Sequence, residues 1–325
     1  MFRLTRVSML FASAMALAAS QARAEDSVYP PWSHGANNPA NQVRGGSGMD
    51  FTITQIDDAP DFHGNPQGSL LNIFVGGNYF FAMAPLVKEF VYEHPAYAGR
   101  IYYETIPPGR VYAQIKNGGL ISIGNLTIKA QADVYAAGMK RVQQGIDEGV
   151  LIGPPTAYAT NTLTIMLPKS NPKGIKSLND LAGPDVRLAM PDPKWEGIAR
   201  QIQSSLVKAG GEALNTAVYD TKVKAGSTTL TQIHHRQTPL WLMQGKTDAG
   251  VTWQSEAIFQ EQAGHPIMHV DIPAHQNTTA IYAAGLVKAA VHKQAGRLWL
   301  QFLRSAPAQK IFHHYGFKSY EADIK

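Results

Sequence analysis

The chain has 325 residues, of which 44% are hydrophobic, and it carries a formal net charge of +5. This length is sufficient to bury a large core and favours two domains. Because cysteine is absent, disulfides and a lipid anchor on an N-terminal cysteine are excluded. No basic run alternates with aromatic residues, so we expect no nucleic-acid partner.

The first 24 residues contain the three parts of a secretory signal peptide. Arg3 and Arg6 form a basic start, residues 7–19 are mostly apolar, and Ala22-Arg23-Ala24 is a typical cleavage site. The apolar stretch is too short for a membrane span, and no later segment has the roughly 18 unbroken apolar residues that a span needs. We therefore expect cleavage after Ala24, export of the mature chain and no direct membrane span. The alternative is an N-terminal helix of the fold.

Residues 25–67 differ from the rest of the chain because they are rich in turn-forming residues and show no hydrophobic periodicity. Residues 45–48 form a flexible Gly-Gly-Ser-Gly stretch. Residues 57–63 are open to interpretation as a docking segment or a metal clip. The interpretation we favour for the whole region is an N-terminal arm that lies over the surface of a domain.

From Leu70 onward, short apolar runs alternate with amphipathic segments. This alternation predicts a parallel sheet with crossover helices. The predicted strands are 70–75, 100–105, 132–137, 163–167, 186–190 and the run that starts at Thr247. A long amphipathic helix is predicted around Ile198, and a short capped helix around Ser177. The final segment, 295–317, is predicted to be helical, with Gly316 at its end.

Six stretches of the chain carry a resemblance to one protein family. They are residues 73–78, 114–118, 132–135, 187–193, 248–257 and 302–317. The stretch at 248–257, Asp-Ala-Gly-Val-Thr-Trp-Gln-Ser-Glu-Ala, is the most informative. In content and order the six stretches resemble the type II periplasmic solute-binding proteins, and most closely their molybdate- and sulfate-binding branch.

The resemblance implies a two-lobed α/β fold. Each lobe is expected to hold a mixed, mostly parallel sheet flanked by helices, and two chain crossings are expected to form a hinge. The implied first lobe consists of residues 68–157 and 290–325, and the second lobe of residues 158–289. A ligand that bridges the lobes would stabilise a closed form.

The resemblance also implies ligand positions at the loops that face the other lobe. Those positions are Gly77, Asn78, Gly109, Arg110, Trp195, Glu196, Gly197, His235, Arg236, Gln237, Trp253 and Ser255. Three places depart from the family pattern. Asn78 stands where molybdate binders carry a hydroxyl, the loop before Arg110 lacks their serines, and Trp253 replaces a tyrosine.

Physical chemistry favours an anionic ligand for such a cleft. Helix N-termini that converge there offer free N–H groups and a positive dipole end. Arg110 and Arg236 would add bidentate recognition of a carboxylate, phosphate or sulfonate. Alternatively, either arginine is a solvated surface residue or closes the domains through a salt bridge. Trp253 and Trp195 are expected either to wall the cleft or to pack in the core.

Metal binding and catalysis find little support in the sequence. His234 and His235 are adjacent, so they would point in different directions on a helix. We find no Walker loop, no G-x-S-x-G turn and no cysteine nucleophile, and therefore expect no enzymatic activity and no cofactor. The predicted function is capture of a small anion in the interlobe cleft, as a monomer, for the permease of an ABC transporter. The anion is expected to be either an oxyanion similar to molybdate or sulfate or a small organic anion. The alternatives are a periplasmic accessory or sensor protein and, more weakly, a metal scavenger.

Overall fold

The structure, a computed structural model, describes residues 61–321 apart from 124–125, 195 and 232–234. The predicted signal peptide and most of the predicted arm lie outside the described residues. Among the helices of the described ranges, none is both long and apolar enough to cross a membrane.

Strands and α-helices alternate along most of the described chain. The strands are β1 (Phe62–His63), β2 (Leu71–Gly76), β3 (Ile101–Ile106), β4 (Leu120–Ile123), β5 (Leu126–Lys129), β6 (Val134–Gly138), β7 (Leu151–Pro168), β8 (Leu188–Met190), β9 (Thr228–Leu230), β10 (Ala249–Trp253), β11 (Ile267–Asp271), β12 (Thr279–Val287) and β13 (Lys318–Ser319). The helices are α1 (Phe80–Glu93), α2 (Pro108–Lys116), α3 (Met139–Asp147), α4 (Gly197–Thr216), α5 (Lys222–Lys224), α6 (Gln237–Met243), α7 (Gln254–Gln262), α8 (Lys293–Phe302) and α9 (Ala306–His314).

The described strands form one large mixed sheet and a separate β4–β5 hairpin. The order in the large sheet is β1-β3-β2-β6-β12-β7-β10-β8-β9, and β11 and β13 also pair with β7. Pairing is parallel in β3-β2-β6 at one end and in β10-β8-β9 at the other. The antiparallel strands β12 and β7 join these halves. The predicted two-lobed α/β fold is confirmed, while the exact lobe limits stay a prediction.

The first lobe builds its core on both faces of its parallel strands. Leu71, Ile73 and Val75 of β2 face one hydrophobic cluster, which contains Trp299 of α8. Phe74 points to the opposite face and joins a second cluster. This alternation follows from the two-residue repeat of a strand, and because both faces are covered the run is apolar. The exception is Asn72, whose side-chain amide donates a 2.8 Å hydrogen bond to the Gln131 carbonyl. The second lobe has its own core between α4 and the strands β7, β8 and β10.

Two aspartates, Asp133 in the stretch 132–135 and Asp248 in the stretch 248–257, have a structural role. Asp133, just before β6, accepts a hydrogen bond of 2.9 Å from the backbone N–H of Asn72 in β2. Asp248, just before β10, accepts one of 2.8 Å from the backbone N–H of Arg187, next to β8. The Arg187 guanidinium also donates to Asp248, at 2.7 Å, and holds the pKa of that carboxyl below its usual value against the opposing effect of burial. Each lobe thus ties the starts of two neighbouring parallel strands through a carboxylate.

The end of the predicted arm joins the sheet. β1 pairs antiparallel with β3, with Phe62 opposite Glu104. Asp61 accepts a side-chain hydrogen bond from the Thr105 hydroxyl, and its carbonyl accepts one from the Thr105 N–H at 3.1 Å. The segment therefore covers the outer edge of β3, which would otherwise offer unpaired backbone groups.

Two predicted elements differ in extent. The strand predicted at 163–167 is the last part of the 18-residue β7. The helical segment predicted at 295–317 is divided into α8 and α9. Ser305 lies at the division, where its hydroxyl accepts a hydrogen bond from the Ala308 N–H and so caps α9.

Candidate ligand-binding cleft

A cleft of about 1180 Å³ lies between the lobes. Its walls come from the first turns of α2, α3 and α4, from Trp253 at the end of β10, and from residues 278–282 at the start of β12. Ligands of α/β sheets bind at the carboxyl ends of strands, and this cleft has that position and a suitable size.

Three helix N-termini face the cleft. The residues that precede α2, α3 and α4 are Pro107, Gly138 and Glu196, and all three line it. In these described helices, no N-cap side chain bonds to the first turn, and no first turn contains an acidic residue. The positive dipole ends and first-turn N–H groups are therefore not neutralised by the protein's own side chains at these caps.

The charged side chains around the cleft are mostly basic. Among its described lining residues, four are Arg or Lys, namely Arg110, Lys140, Arg141 and Arg200. In the same set, Glu196 is the one carboxylate. This excess of positive charge adds to the field of the helix N-termini and favours an anion.

One side of the cleft is apolar and aromatic. Trp253 is buried, and its ring centroid lies 6.3 Å from that of Tyr282 in an edge-to-face arrangement. Ile198 and Ile281 also line the cleft.

His235 lies buried in the lining between two glutamates. Its Nδ1 is 2.8 Å from a carboxylate oxygen of Glu196, and its Nε2 is 3.0 Å from one of Glu256. The hydroxyls of Thr231 and Thr252 donate to Glu196 and Glu256 respectively. The result is a buried network that runs from the start of α4 to α7.

The two carboxylates determine the charge of His235. Burial alone disfavours an imidazolium, but attraction to Glu256 and the hydrogen bonds to both glutamates outweigh it and raise the pKa of His235 to about 9. At neutral pH the ring is therefore protonated and donates from both nitrogens. Because the Glu196 carboxylate bonds to this imidazolium, it does not cap the N-terminus of α4, the helix that Glu196 directly precedes.

Arg236 spans the two lobes beside the cleft. Its guanidinium donates to the carbonyl of Gly77, just after β2, and lies 4.5 Å from the ring centroid of Phe80 in α1. The side chain is buried, and a Cβ added at Gly77 would overlap the guanidinium. Arg236 thus occupies the ends of β2 and β3, the place at which the family resemblance implied a ligand contact.

The structure brings half of the predicted ligand positions to the cleft lining. They are Gly109, Arg110, Glu196, Gly197, His235 and Trp253. Gly77, Arg236, Gln237 and Ser255 lie outside that lining, and Ser255 accepts a 2.8 Å hydrogen bond from Asn161. Trp195 and the Asn78 side chain lie outside the described residues. A ligand role for any of these residues stays a prediction.

Sequence reasoning missed several lining residues. Lys140 and Arg141 lie in the first turn of α3, shortly after the strand predicted at 132–137, and the rule that ligands lie at strand ends could have found them. Arg200 lies one turn into α4. The lining at 278–282 carries no motif, and only the tertiary fold places it there. Within the described part of the chain, no group of three or more metal-ligating side chains was found.

A family model described as bacterial extracellular solute-binding protein matches residues 71–318. The chain belongs to this family. It is 27% identical over 195 residues to the molybdate-binding protein ModA of Mycobacterium tuberculosis, covering 59% of this chain and 67% of the relative. It is 25% identical over 202 residues to a sulfate-binding protein of Synechococcus elongatus, covering 58% and 57%.

The fold is also similar to a solved structure, the periplasmic molybdate-binding protein of Azotobacter vinelandii. The TM-score is 0.63 at 18% identity, with 77% of this chain and all of that chain covered. The predicted membership of the molybdate- and sulfate-binding branch of type II solute-binding proteins is confirmed.

Proposed function

We propose that this protein captures a small anion in the interlobe cleft, in the periplasm, and delivers it to the permease of an ABC transporter. The observation that carries the proposal is the convergence of three helix N-termini, without side-chain caps or first-turn acids, on a cleft with four basic side chains. The relatives named as molybdate- and sulfate-binding proteins support it.

In this proposal the ligand contacts both lobes. Arg110 and the start of α2 belong to the first lobe (68–157 and 290–325). Arg200 and the start of α4 belong to the second (158–289). An anion between them would neutralise positive charge on both sides and so stabilise the closed form, which is the form that a permease would recognise.

The test is thermal unfolding of the full chain with sulfate, molybdate, phosphate and small carboxylates, followed by calorimetry. At least one anion should stabilise the protein, and at a hundredfold excess over Kd the gain would be about 2.7 kcal/mol. Arg110→Ala and Arg200→Ala should weaken the binding and its salt dependence. Arg304→Ala, an exposed arginine outside the cleft lining, is the matched control. Stabilisation by divalent cations alone would contradict the proposal.

A further inference from the structure

The N-terminal arm enters the first lobe at the cleft side of its sheet. β1 runs antiparallel to β3, and the Asp61 carbonyl accepts a 3.1 Å hydrogen bond from the Thr105 N–H near the end of β3. From Thr105 the chain continues to Pro107 and Pro108, which line the cleft at the start of α2. Because β1 is bonded to β3 and α2 follows β3 directly, this arrangement does not depend on how far the lobes are open.

The part of the arm next to β1 is acidic. Residues 45–60 contain three carboxylates, Asp50, Asp57 and Asp58, and neither lysine nor arginine. Asp57 and Asp58 precede Asp61 by four and three residues. An extended chain spans at most about 3.6 Å per residue, so the chain keeps both within about 15 Å of Asp61. Both carboxylates are therefore tethered within reach of the start of α2.

The surface at the start of α2 is basic. Arg110 in the first turn of α2 and Lys140 in the first turn of α3 are exposed, and both line the cleft. Arg141 connects the two helices, since its guanidinium carbon lies 5.6 Å from the ring centroid of Tyr112 in α2. We call Arg110, Lys140 and Arg141 the basic mouth. Charge complementarity favours a tethered pair of carboxylates at this surface.

We infer, on the basis of the proposed function, that residues 57–60 dock on the basic mouth of their own chain and compete with the anion that the cleft captures. The carboxylates of Asp57 and Asp58 take the place of the anion at Arg110 and Lys140. Binding of the anion displaces them. Of the two interpretations that the sequence leaves open for residues 57–63, this is the docking segment.

The tether makes a weak contact effective. A segment linked through a few residues has an effective concentration on the order of millimolar at its site. If the segment occupies the basic mouth for about two thirds of the time, the apparent Kd of the anion rises about threefold. The competition therefore lowers the affinity for the anion without preventing its capture.

The first test measures anion affinity in variants of the full chain. Sulfate, molybdate, phosphate and acetate are titrated calorimetrically into the wild type and into the double variant Asp57→Asn, Asp58→Asn. The double variant should bind at least one of them about threefold more tightly or better. The control, Glu93→Gln with Glu212→Gln, removes the same charge at exposed positions outside the cleft lining. It should stay within about 1.5-fold of the wild type, because distant exposed charges are screened.

The second test detects the contact itself. Because the chain has no cysteine, Ala59→Cys carries a nitroxide label at one defined site, and electron paramagnetic resonance reports the mobility of the label. The label should be immobilised in the absence of anion and released by whichever of the four anions binds. When Asp57→Asn and Asp58→Asn are added, it should be mobile throughout. A label at Ala36→Cys, earlier in the arm, is the control and should not respond to the anion.

The outcomes separate this inference from the proposed function. If an anion binds the wild type and the double variant equally, the inference is wrong and the proposed function stands. If binding tightens but the label at position 59 does not respond to the anion, the carboxylates act without docking and the inference is wrong. If immobilisation of the label increases with protein concentration, the occupant is the arm of a second copy and the inference is wrong. If none of the four anions binds, both are wrong.

Discussion

The guanidinium of Arg236 lies over the ring of Phe80, 4.5 Å from its centroid, although the two residues belong to different lobes. Arg236 directly precedes α6, and Phe80 is the first residue of α1. The same guanidinium donates to the Gly77 carbonyl. One buried cation therefore connects the starts of two helices beside the cleft and acts as a latch between the lobes.

Arg236→Ala should lower the free energy of unfolding by about 2–4 kcal/mol. The variant loses a buried, charge-assisted hydrogen bond and a cation–π contact. Urea denaturation measures the change, and Arg304→Ala, which is exposed, should stay within about 0.5 kcal/mol of the wild type. An equally small effect for Arg236→Ala would show that the latch contributes nothing to stability.

Gly77→Ala should destabilise the protein through the same contact. A Cβ at Gly77 would overlap the guanidinium of Arg236 and displace it. The double variant Gly77→Ala, Arg236→Ala should then cost little more than the larger single change, because both changes remove one interaction. Denaturation of the four proteins in this cycle gives the coupling energy, and strictly additive costs would contradict the arrangement.

Glu104→Gln should stabilise the protein above neutral pH. Burial raises the pKa of Glu104 to about 7, although hydrogen bonds from Tyr102 and Gln114 oppose the shift. The folded pKa is higher than the unfolded one of about 4.5. The stability that the protonated Glu104 carboxyl contributes is therefore fully present below pH 4.5 and is lost as pH rises through 7. The shift corresponds to about 3 kcal/mol.

Denaturation of the Glu104→Gln variant between pH 4 and 8 tests this dependence. The variant should match the wild type near pH 4 and exceed its stability at pH 8. Glu93→Gln, on the exposed end of α1, is the control and should follow the wild type throughout. A wild-type stability that rises over this window in parallel with that of Glu104→Gln would count against the prediction.

His235 should add a second loss of stability at higher pH. Its pKa is raised from 6.5 to about 9, so its contribution is complete below pH 6.5 and disappears as pH rises through 9. His235→Gln should remove this dependence. At pH 7 it should also cost about 3–5 kcal/mol, because Glu196 and Glu256 lose the cation between them.

A second substitution distinguishes charge from packing at His235. Adding Glu256→Gln to His235→Gln removes one of the two uncompensated carboxylates and should recover part of the lost stability at pH 7. Denaturation at pH 6, 7 and 9.5 measures both variants. If Glu256→Gln recovers nothing, the cost of His235→Gln arises from lost packing.

The arm should be dispensable up to residue 60 and not beyond. Removing residues 25–60 leaves β1 and the hydrogen bonds between Asp61 and Thr105 intact, so cooperative unfolding should be unchanged. Removing 25–67 deletes β1 and exposes the edge of β3, and should lower the melting temperature by several degrees. Thermal unfolding of the two variants compares them directly. Equal melting temperatures would show that β1 adds no stability.

Hydrophobic periodicity predicted those helices and strands whose apolar pattern lies within their own residues. The apolar run of β2 and the helical stripe of α4 are examples, since both follow from periodicity. The sequence also predicted that helix N-termini would converge on a cleft. Arg236 was predicted as a ligand contact, and nothing within its own segment indicates that Gly77 and Phe80 would hold it.

Tertiary pairing explains what the patterns missed. Gly153-Pro154-Pro155 is a breaker sequence, yet it lies inside β7. One register shift against β12, between Ala284 and Leu286, accommodates these residues as an irregularity in the ladder. The β4–β5 hairpin, Leu120–Ile123 with Leu126–Lys129, was not predicted either, and it lies apart from the large sheet.

The 18 residues of β7 have a consequence for amide hydrogen exchange. This strand pairs with β12 and β13 in one half of the sheet and with β10 and β11 in the other. A movement of the lobes can bend such a strand without breaking its ladders. The amides in the middle of β7 should therefore exchange with deuterium only when the whole chain unfolds, so they report global stability and are insensitive to opening of the cleft.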